Sequence, residues 1–302
     1  MKSLYIGIDG GGTKTKAIVT DENFKLIGTG FGGPSNIRLS VKDSWNSIYC
    51  AINEALKDSK ITLDNKKYLF HAGMGLAGVT IVKAKEEFLA TPHPFKTLIL
   101  ESDAHIGCLA VHDGKDGAII SVGTGVIGYL VEKGKYYRIG GWGFPHADIG
   151  GGAWLGLETA KLTFKAADGV IENSKMLNAV FAKFNNNLVD FCTWACSAKS
   201  SEFATLAPLV VDYAQKGDSY ALNLIQAAAE EIGLIYKALN KKSQHPSEKI
   251  NCVLLGGLGR LLYSYVNEKH YISLPNASKT AELGAIYMIQ QELSLSFHKI
   301  TN

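Results

Sequence analysis

The sequence of 302 residues contains no long apolar run, no basic cluster and few cysteines. No apolar run approaches the roughly 18 residues that a membrane span needs. The apolar run near Met1 is too short for a secretion signal and contains a charge. The net charge of +3 comes from scattered residues with no long basic run, which argues against nucleic-acid binding. We therefore expect a cytoplasmic protein with neither nucleic acid nor a membrane as its partner.

Cysteine is also scarce. The chain has five cysteines, and their odd number and irregular spacing do not form a disulfide framework. Cys192 and Cys196 are four residues apart and could share a helix face, but a metal site would need two more ligands nearby. The sequence predicts two small buried thiols here instead.

Glycine, in contrast, is abundant, with 32 residues in several clusters. Two stretches share one pattern, in which apolar strand patterns flank a turn of glycine and threonine. The turns are Asp9–Thr13 and, about 110 residues later, Gly123–Gly125. Helix and strand patterns alternate after each of them, which predicts an α/β protein made of two halves with one plan.

Several elements outside these turns have clear boundaries. Ser40 and Asp43 form a capping-box pattern at the start of an amphipathic helix, and Asp218 starts a long helix that ends at Lys242. Lys249–Leu255 reads as a buried strand, and a last helix is predicted over Thr280–Leu293.

The interruption at His112–Gly117 predicts a domain boundary near residue 115. We expect an N-terminal domain of residues 1–115 and a C-terminal domain of residues 116–302. The last helix of the second domain is free to pack back on the first.

The first glycine turn combines groups that suit a phosphate. Gly10–Gly12 let backbone N–H groups approach an anion, because no Cβ blocks the way. Thr13 and Thr15 add hydroxyls, Lys14 adds a cation, and Asp9 could hold Mg²⁺ through water. The turn is neither a P-loop, since Lys14 follows Thr13, nor a Rossmann loop, since the chain continues as strand. A tight hairpin without a ligand is the alternative.

Two further glycine clusters have both a binding and a structural interpretation. Gly123-Thr124-Gly125 could hold a triphosphate from the other side, or it could be an ordinary hairpin turn. Gly256-Gly257-Leu258-Gly259 could form a floor for a purine, or it could ease strand-to-helix packing.

Asp103 follows the strand Thr97–Leu100, where the carboxyl ends of α/β strands open into a ligand crevice. A carboxylate at this place could accept the proton of an attacking hydroxyl. An equally supported interpretation makes Asp103 a helix N-cap. Glu101 is a second candidate, but it points to the opposite face of the strand.

Two loops carry polar residues that could bind a sugar. They are Gly33–Asn36 and Gly140–Asp148, and Trp142 or Phe144 of the second loop could form a pocket wall. Taken alone, either loop is also explained as an ordinary turn.

Together these segments resemble the superfamily of sugar kinases, Hsp70 and actin, and more closely its BadF/BadG/BcrA/BcrD ATPase branch, which includes N-acetylglucosamine and glucosamine kinases. The likeness spans nearly the whole chain. It rests on Gly7–Thr13, Gly33–Ile37, Ser102–Ala104, Gly123–Gly125, Gly141–Pro145, Asp148, Gly150 and Leu255–Gly257. The resemblance implies two RNase H-like (actin-like ATPase) domains with a central cleft between them.

The resemblance also implies roles for individual residues, with ATP and Mg²⁺ as cofactors and a small amino sugar as substrate. Phosphate or Mg²⁺ would be contacted by Asp9, Gly11, Gly12, Thr13 and Lys14. Thr124 and Gly125 would close over the phosphates, and Gly256 and Gly257 would line the adenosine site. Asn36 and Asp148 would bind sugar hydroxyls, with Asp103 as the base at the 6-hydroxyl.

The sequence departs from the family pattern near the sugar. Val126 and Ile127 follow Gly125 where the family has a polar residue, and Ile149 and Gly151 stand where it has a carboxylate or amide and a serine. The choice between glucosamine and N-acetylglucosamine therefore stays open. Two other functions are alternatives. One is an ATPase activator of a redox enzyme, in which cysteines hold an iron–sulfur cluster, and the other is a non-catalytic ATP and sugar sensor. Dimers are common in such families, but the sequence itself does not determine the oligomeric state.

Overall fold

A computed structural model describes residues 1–267, 271–276 and 279–300 of the chain. The chain divides into two units. The first unit comprises Met1–Gly117, Lys133–Lys135 and the segment from Asn276 onward, and the second comprises Ala118–Glu132 and Tyr136–Pro275. Within the described residues, no helix combines the length and the apolar character that a membrane crossing requires.

The first unit is built on a five-stranded sheet. In chain order its strands are β1 Lys2–Gly10, β2 Thr15–Thr20, β3 Leu26–Gly32, β4 Tyr68–Leu76 and β5 Thr97–Glu101. They lie in the spatial order β3-β2-β1-β4-β5. β1, β2 and β3 form an antiparallel meander, whereas β1, β4 and β5 run parallel. The predicted first hairpin is confirmed, and its glycine turn joins β1 to β2.

The second unit repeats this strand order. Its strands are β6 Gly117–Val122, β7 Val126–Glu132, β8 Lys135–Gly140, β9 Cys252–Leu255 and β10 Ile272–Ser273. They lie in the order β8-β7-β6-β9-β10, so each strand has a counterpart at the same place in the first sheet. The predicted α/β class with two similar halves is confirmed. β9 is shorter than predicted, because the backbone N–H of Ile250 bonds the side chain of Asn240 at 3.0 Å instead of a strand.

Helices connect the strands in both units. In chain order they are α1 Val41–Leu56, α2 Val82–Ala90, α3 Asp103–Val111, α4 Gly152–Ala167, α5 Lys175–Ala182, α6 Leu188–Ser197, α7 Ser200–Ala204, α8 Ala207–Gln215, α9 Ser219–Lys242, α10 Gly257–Leu262 and α11 Ala281–Ile300. Short 3₁₀ turns follow α1 and α10, at Lys57–Ser59 and Tyr263–Tyr265.

The two capped helices begin where the sequence predicts. Ser40 caps α1, and its Oγ accepts a hydrogen bond from the backbone N–H of Asp43 at 3.1 Å. The apolar face of α1 is buried, and Trp45 on that face stacks on Phe88 of α2 with 4.3 Å between ring centroids. Asp218 caps α9 in the same way, by accepting from the first backbone N–H groups of that helix.

Helix α11 belongs to the first unit, although it lies near the end of the sequence. Ile286 and Ile289 of α11 pack against Ile18 of β2. Gly284 allows a close approach to α3, because a Cβ at this position would lie 1.8 Å from the carbonyl oxygen of Ile106. The helix extends past the predicted end at Leu293 to Ile300.

The prediction of buried thiols on α6 is wrong. Phe191 takes the buried face of α6 and stacks on Phe164 of α4 at 4.2 Å. Cys192 and Cys196 fall on the exposed face, where their Sγ atoms lie 4.0 Å apart. They share one face, as predicted, but the aromatic residue before them determines that this face is turned to solvent.

Candidate functional site

The first glycine turn is open to solvent on one side and anchored on the other. Gly12, Thr13 and Lys14 are exposed, and the backbone N–H of Gly11 closes the turn on the carbonyl oxygen of Lys14 at 3.0 Å. No atom lies within 4 Å of where a Cβ on Gly12 would be, so the backbone there is accessible to an anion. Of the predicted group, Gly12, Thr13 and Lys14 therefore form one exposed surface, and the half-buried Gly11 closes the turn beneath them.

Thr15 does not belong to that exposed surface, which corrects its proposed role as a hydroxyl donor. Its side chain is fully buried, and its Oγ1 lies 2.7 Å from both the carbonyl oxygen of Gly33 and the Oγ of Ser35. The backbone N–H of Ser35 bonds the carbonyl oxygen of Gly11 at 2.9 Å. Thr15 and Ser35 therefore hold the Gly33–Asn36 loop against the first glycine turn.

Asp9 stands at the end of β1 in an electrostatically unfavourable place. The pKa of its carboxyl is raised from 3.8 to about 6, mainly by burial and further by the negative charges of Glu282 and Asp103, while the positive charges of Lys14 and Lys16 act in the opposite direction. A cation bound nearby would stabilise the ionised form of this carboxylate, because their charges are opposite. Mg²⁺ is usually held by one or two carboxylates together with substrate phosphates, so the residue predicted for the metal, Asp9, fits that ion.

Asp103 is the first residue of α3, and its side chain is exposed. The N-cap is Ser102, whose Oγ accepts from the backbone N–H of His105 at 3.2 Å. The alternative in which Asp103 itself caps the helix is therefore wrong. Its carboxylate accepts a 2.8 Å hydrogen bond from the N–H of Ala104 and otherwise faces outward. Glu101, in contrast, pairs with Lys85 of α2 at 3.7 Å.

Asn36 lies half-buried in the loop that Thr15 and Ser35 hold. Its side-chain oxygen accepts from the backbone N–H of Arg38 at 3.1 Å. The amide nitrogen is therefore the part of the Asn36 side chain that could donate to a ligand hydroxyl. Gly78 lies beside it, where a Cβ would come within 2.5 Å of the Asn36 oxygen.

In the second unit, the Gly123–Gly125 turn lies against the start of α4. The carbonyl oxygens of Gly123 and Thr124 accept hydrogen bonds from the first N–H groups of α4, at Gly152 (2.8 Å) and Ala153 (2.9 Å). A Cβ on Gly151 would lie 2.8 Å from the Thr124 oxygen. Packing therefore favours glycine at position 151, because a serine there would push the turn away from the helix.

Asp148 lies directly beside this turn. A Cβ on Gly125 would come within 2.3 Å of its Oδ2, and its Oδ1 lies 3.4 Å from the backbone N–H of Gly143. The structure thus brings together the predicted phosphate residue Gly125 and the predicted sugar residue Asp148. Trp142 is 72% exposed, and the guanidinium of Arg138 lies 4.5 Å from the centre of its ring.

The unusual apolar residues near this turn have different environments. Val126 is buried in the core of the second unit, so it faces no ligand. Ile127 is half-buried and Ile149 is exposed. Of the departures from the family pattern, Ile149 is therefore the one that presents an apolar side chain to solvent.

A cavity of about 390 Å³ in the second unit is lined by further residues for which the sequence predicts a binding role. Thr124 and Gly257 both line it. The rest of the wall is largely small or apolar, and comprises Gly123, Gly152, Ala204, Ala207, Pro208, Leu258 and Leu261. Gly256, the residue before Gly257, does not line this cavity. Its φ is +89°, and a Cβ on it would lie 2.1 Å from the carbonyl oxygen of Val122. The volume and apolar wall are typical of a pocket for a small molecule.

Several of these features have no motif in the sequence. The cavity wall from α7 and α8 carries ordinary helix residues, Ala204, Ala207 and Pro208, which no local pattern marks as binding residues. Glu282 of α11 lies in the environment of Asp9 but far from it in sequence. Only the folded chain shows these neighbours.

Comparison with known proteins gives a consistent result. The model of the BadF/BadG/BcrA/BcrD ATPase family matches residues 6–287. The glucosamine kinase GspK of Vibrio cholerae is 31% identical over 265 residues, which covers 88% of each chain. An N-acetylmuramic acid/N-acetylglucosamine kinase of Clostridium acetobutylicum is 27% identical over 279 residues, covering 89% of this chain and 90% of the other. The structure of a candidate N-acetylglucosamine kinase of Chromobacterium violaceum superposes with a TM-score of 0.82 at 29% identity, over 95% of this chain and 99% of that one.

Proposed function

The chain belongs to the BadF/BadG/BcrA/BcrD ATPase family, and from that premise we propose that it transfers the γ-phosphate of ATP to the 6-hydroxyl of an amino sugar. The similar proteins named as glucosamine and N-acetylglucosamine kinases support a sugar kinase and the amino-sugar class. The donor and the phosphorylated carbon are the finer parts of the proposal.

The observation that carries the proposal is the placement of Asp103. An exposed carboxylate begins α3 while Ser102 performs the capping. Its charge acts on Asp9, so the candidate base and the candidate metal ligand lie in one electrostatic environment. A phosphotransferase needs this pair of functions, one to deprotonate the alcohol and one to hold the metal that accompanies the phosphates.

In the proposed reaction, Asp103 accepts the proton of the 6-hydroxyl as that oxygen forms a bond to the γ-phosphorus. The bond from the γ-phosphorus to the bridging oxygen breaks, and ADP leaves. The N–H group of Gly12, the hydroxyl of Thr13 and the ammonium of Lys14 bind phosphate oxygens, and Gly11 keeps the turn closed through its hydrogen bond to Lys14. Asp9 would hold the metal through water. Bound Mg²⁺ supplies positive charge that neutralises the phosphates.

The remaining residues position the two substrates. Thr124 and Gly125 bind phosphate oxygens, and Gly257 contributes to the adenosine site, for which the cavity of the second unit is the candidate. Gly256 precedes Gly257 and, with its positive φ, shapes the turn on which Gly257 lies. Asn36 and Asp148 hydrogen-bond sugar hydroxyls.

The test is an ADP-release assay with ATP over a panel of hexoses and hexosamines, with NMR identification of the phosphorylated carbon. Asp103→Asn should lower kcat by about 10²–10⁴, the usual contribution of a general base. Glu101→Gln is the matched control, because Glu101 neighbours Asp103 in sequence but pairs with Lys85, and it should retain most of the activity. Full activity of Asp103→Asn would disprove the assignment of the base.

The same preparation distinguishes the other functions. Tight binding of ATP and sugar without turnover would indicate a sensor. Iron in the purified protein would indicate the redox-linked ATPase. The exposed cysteines are Cys50, Cys192 and Cys196, which lie on helices, and no group of three or more metal-ligating side chains occurs in the part of the chain that the structure describes.

A further inference from the structure

Glu282 is a buried acidic residue for which the proposed reaction has no use. It lies in the first turn of α11 and is 2% exposed. Its backbone also approaches β1 closely, since a Cβ on Gly7 would lie 2.2 Å from the carbonyl oxygen of Glu282. Burial of a carboxylate is costly unless a partner compensates its charge. The position of Glu282 under β1 therefore needs an explanation.

The partner is Lys16 of β2, whose ammonium forms an ion pair with Glu282 Oε1. Lys16 is also the direct cross-strand partner of Asp9 in the β1–β2 pairing. Directly opposed residues of antiparallel strands project to the same face, with their Cβ atoms about 4.5–5.5 Å apart. One ammonium therefore has two carboxylates within its range, and in the structure Glu282 binds it.

The choice of partner matters for the metal. An ammonium bound to Asp9 would compete with a cation for the same carboxylate oxygens. An ammonium bound to Glu282 leaves those oxygens available for the cation. The same ion pair also compensates the buried negative charge of Glu282.

We propose that Glu282 is a positioning residue, which holds the Lys16 ammonium away from Asp9 and so keeps the Asp9 carboxylate available to the divalent cation of the nucleotide. This inference rests on the proposed function in one respect, that Asp9 holds that cation. Glu282 itself touches neither the cation nor the substrates.

The test measures cation binding directly, with Mn²⁺ as a paramagnetic probe followed by EPR in the presence of ATP and without sugar. Glu282→Gln should weaken Mn²⁺ binding by about tenfold, because the released ammonium turns to Asp9. The double variant Glu282→Gln with Lys16→Met should recover most of that loss, since no ammonium remains to compete. A purely structural role of Glu282 predicts no such recovery.

Glu132→Gln is the matched control, because it is also a buried glutamate, in the second unit, where it accepts hydrogen bonds from Ser243 and Gln244 at 2.8 and 2.7 Å. It should lower thermal stability without changing Mn²⁺ binding. If Glu282→Gln does not fold, the double variant is compared with Lys16→Met. The proposal predicts equal Mn²⁺ affinity for these two within about twofold, whereas direct metal contact by Glu282 predicts weaker binding by the double variant.

Two results would overturn the proposal: wild-type Mn²⁺ affinity in Glu282→Gln, or a double variant that binds as weakly as Glu282→Gln alone. Because no sugar is present, a failure of the proposed kinase activity would not be confused with either result. Conversely, if the wild type is an active sugar kinase but the double variant shows no recovery of Mn²⁺ binding, the proposed function stands and this inference is wrong.

Discussion

The charge on Asp9 should destabilise the metal-free protein at neutral pH. Its pKa is raised from the usual 3.8 to about 6 by burial first, and then by the charges of Glu282 and Asp103. Between pH 3.8 and about pH 6 the folded state binds more protons than the unfolded state, so the free energy of unfolding falls as the pH rises through this range. The cost is absent below the unfolded pKa and complete above the folded one. The difference between the two pKa values corresponds to about 3 kcal/mol, as an upper bound.

Replacement by the neutral amide should remove this cost. In the presence of a chelator, Asp9→Asn should be more stable than the wild type by up to about 3 kcal/mol near pH 7.5, and by little near pH 4. Urea unfolding followed by circular dichroism at several pH values measures both differences. Asp58→Asn, at an exposed position, is the control and should change stability by less than about 0.5 kcal/mol at either pH. An Asp9→Asn variant that is less stable near pH 7.5, or whose stability difference does not change with pH, would refute the reasoning.

Two further predictions concern packing. Leu261 lines the cavity and is 44% exposed, so Leu261→Ala should leave the fold intact and raise the KM for ATP by up to about tenfold, without changing the KM for the sugar, in steady-state kinetics. An unchanged KM for ATP would place the nucleotide elsewhere. Gly284→Ala should lower the free energy of unfolding by about 3 kcal/mol or more, because its Cβ would overlap the Ile106 carbonyl oxygen and force α11 away from α3. Urea denaturation measures this loss, and wild-type stability would show that the two helices separate without cost.

Features that depend on a few neighbouring residues could be predicted from the sequence. The two hairpins follow from glycine turns between strand patterns, and the starts of α1 and α9 follow from Ser40 and Asp218, whose side chains accept from the next turn of backbone N–H groups. Asp103 was ambiguous because Ser102 and Asp103 are both good capping residues, and only the backbone shows which one precedes the helix.

Features that depend on distant residues could not be predicted. Thr15 and Thr13 are both hydroxyl residues in one turn, and the tertiary contacts with Gly33 and Ser35 decide that Thr15 is turned inward. The alternation of β2 offers a signal, since Thr15 lies on the same face as the fully buried Ala17 and Val19. Glu282 carries no such signal, because its role depends on where α11 lies on the first sheet.

The position of α11 also has a consequence for how the protein is made. The residues that cover Ile18 follow the whole second unit in the sequence, so a growing chain on the ribosome exposes one face of its first sheet until translation passes Ile289. The second unit needs no such late segment, because its residues end at Pro275. During synthesis the unit encoded later should therefore be completed first.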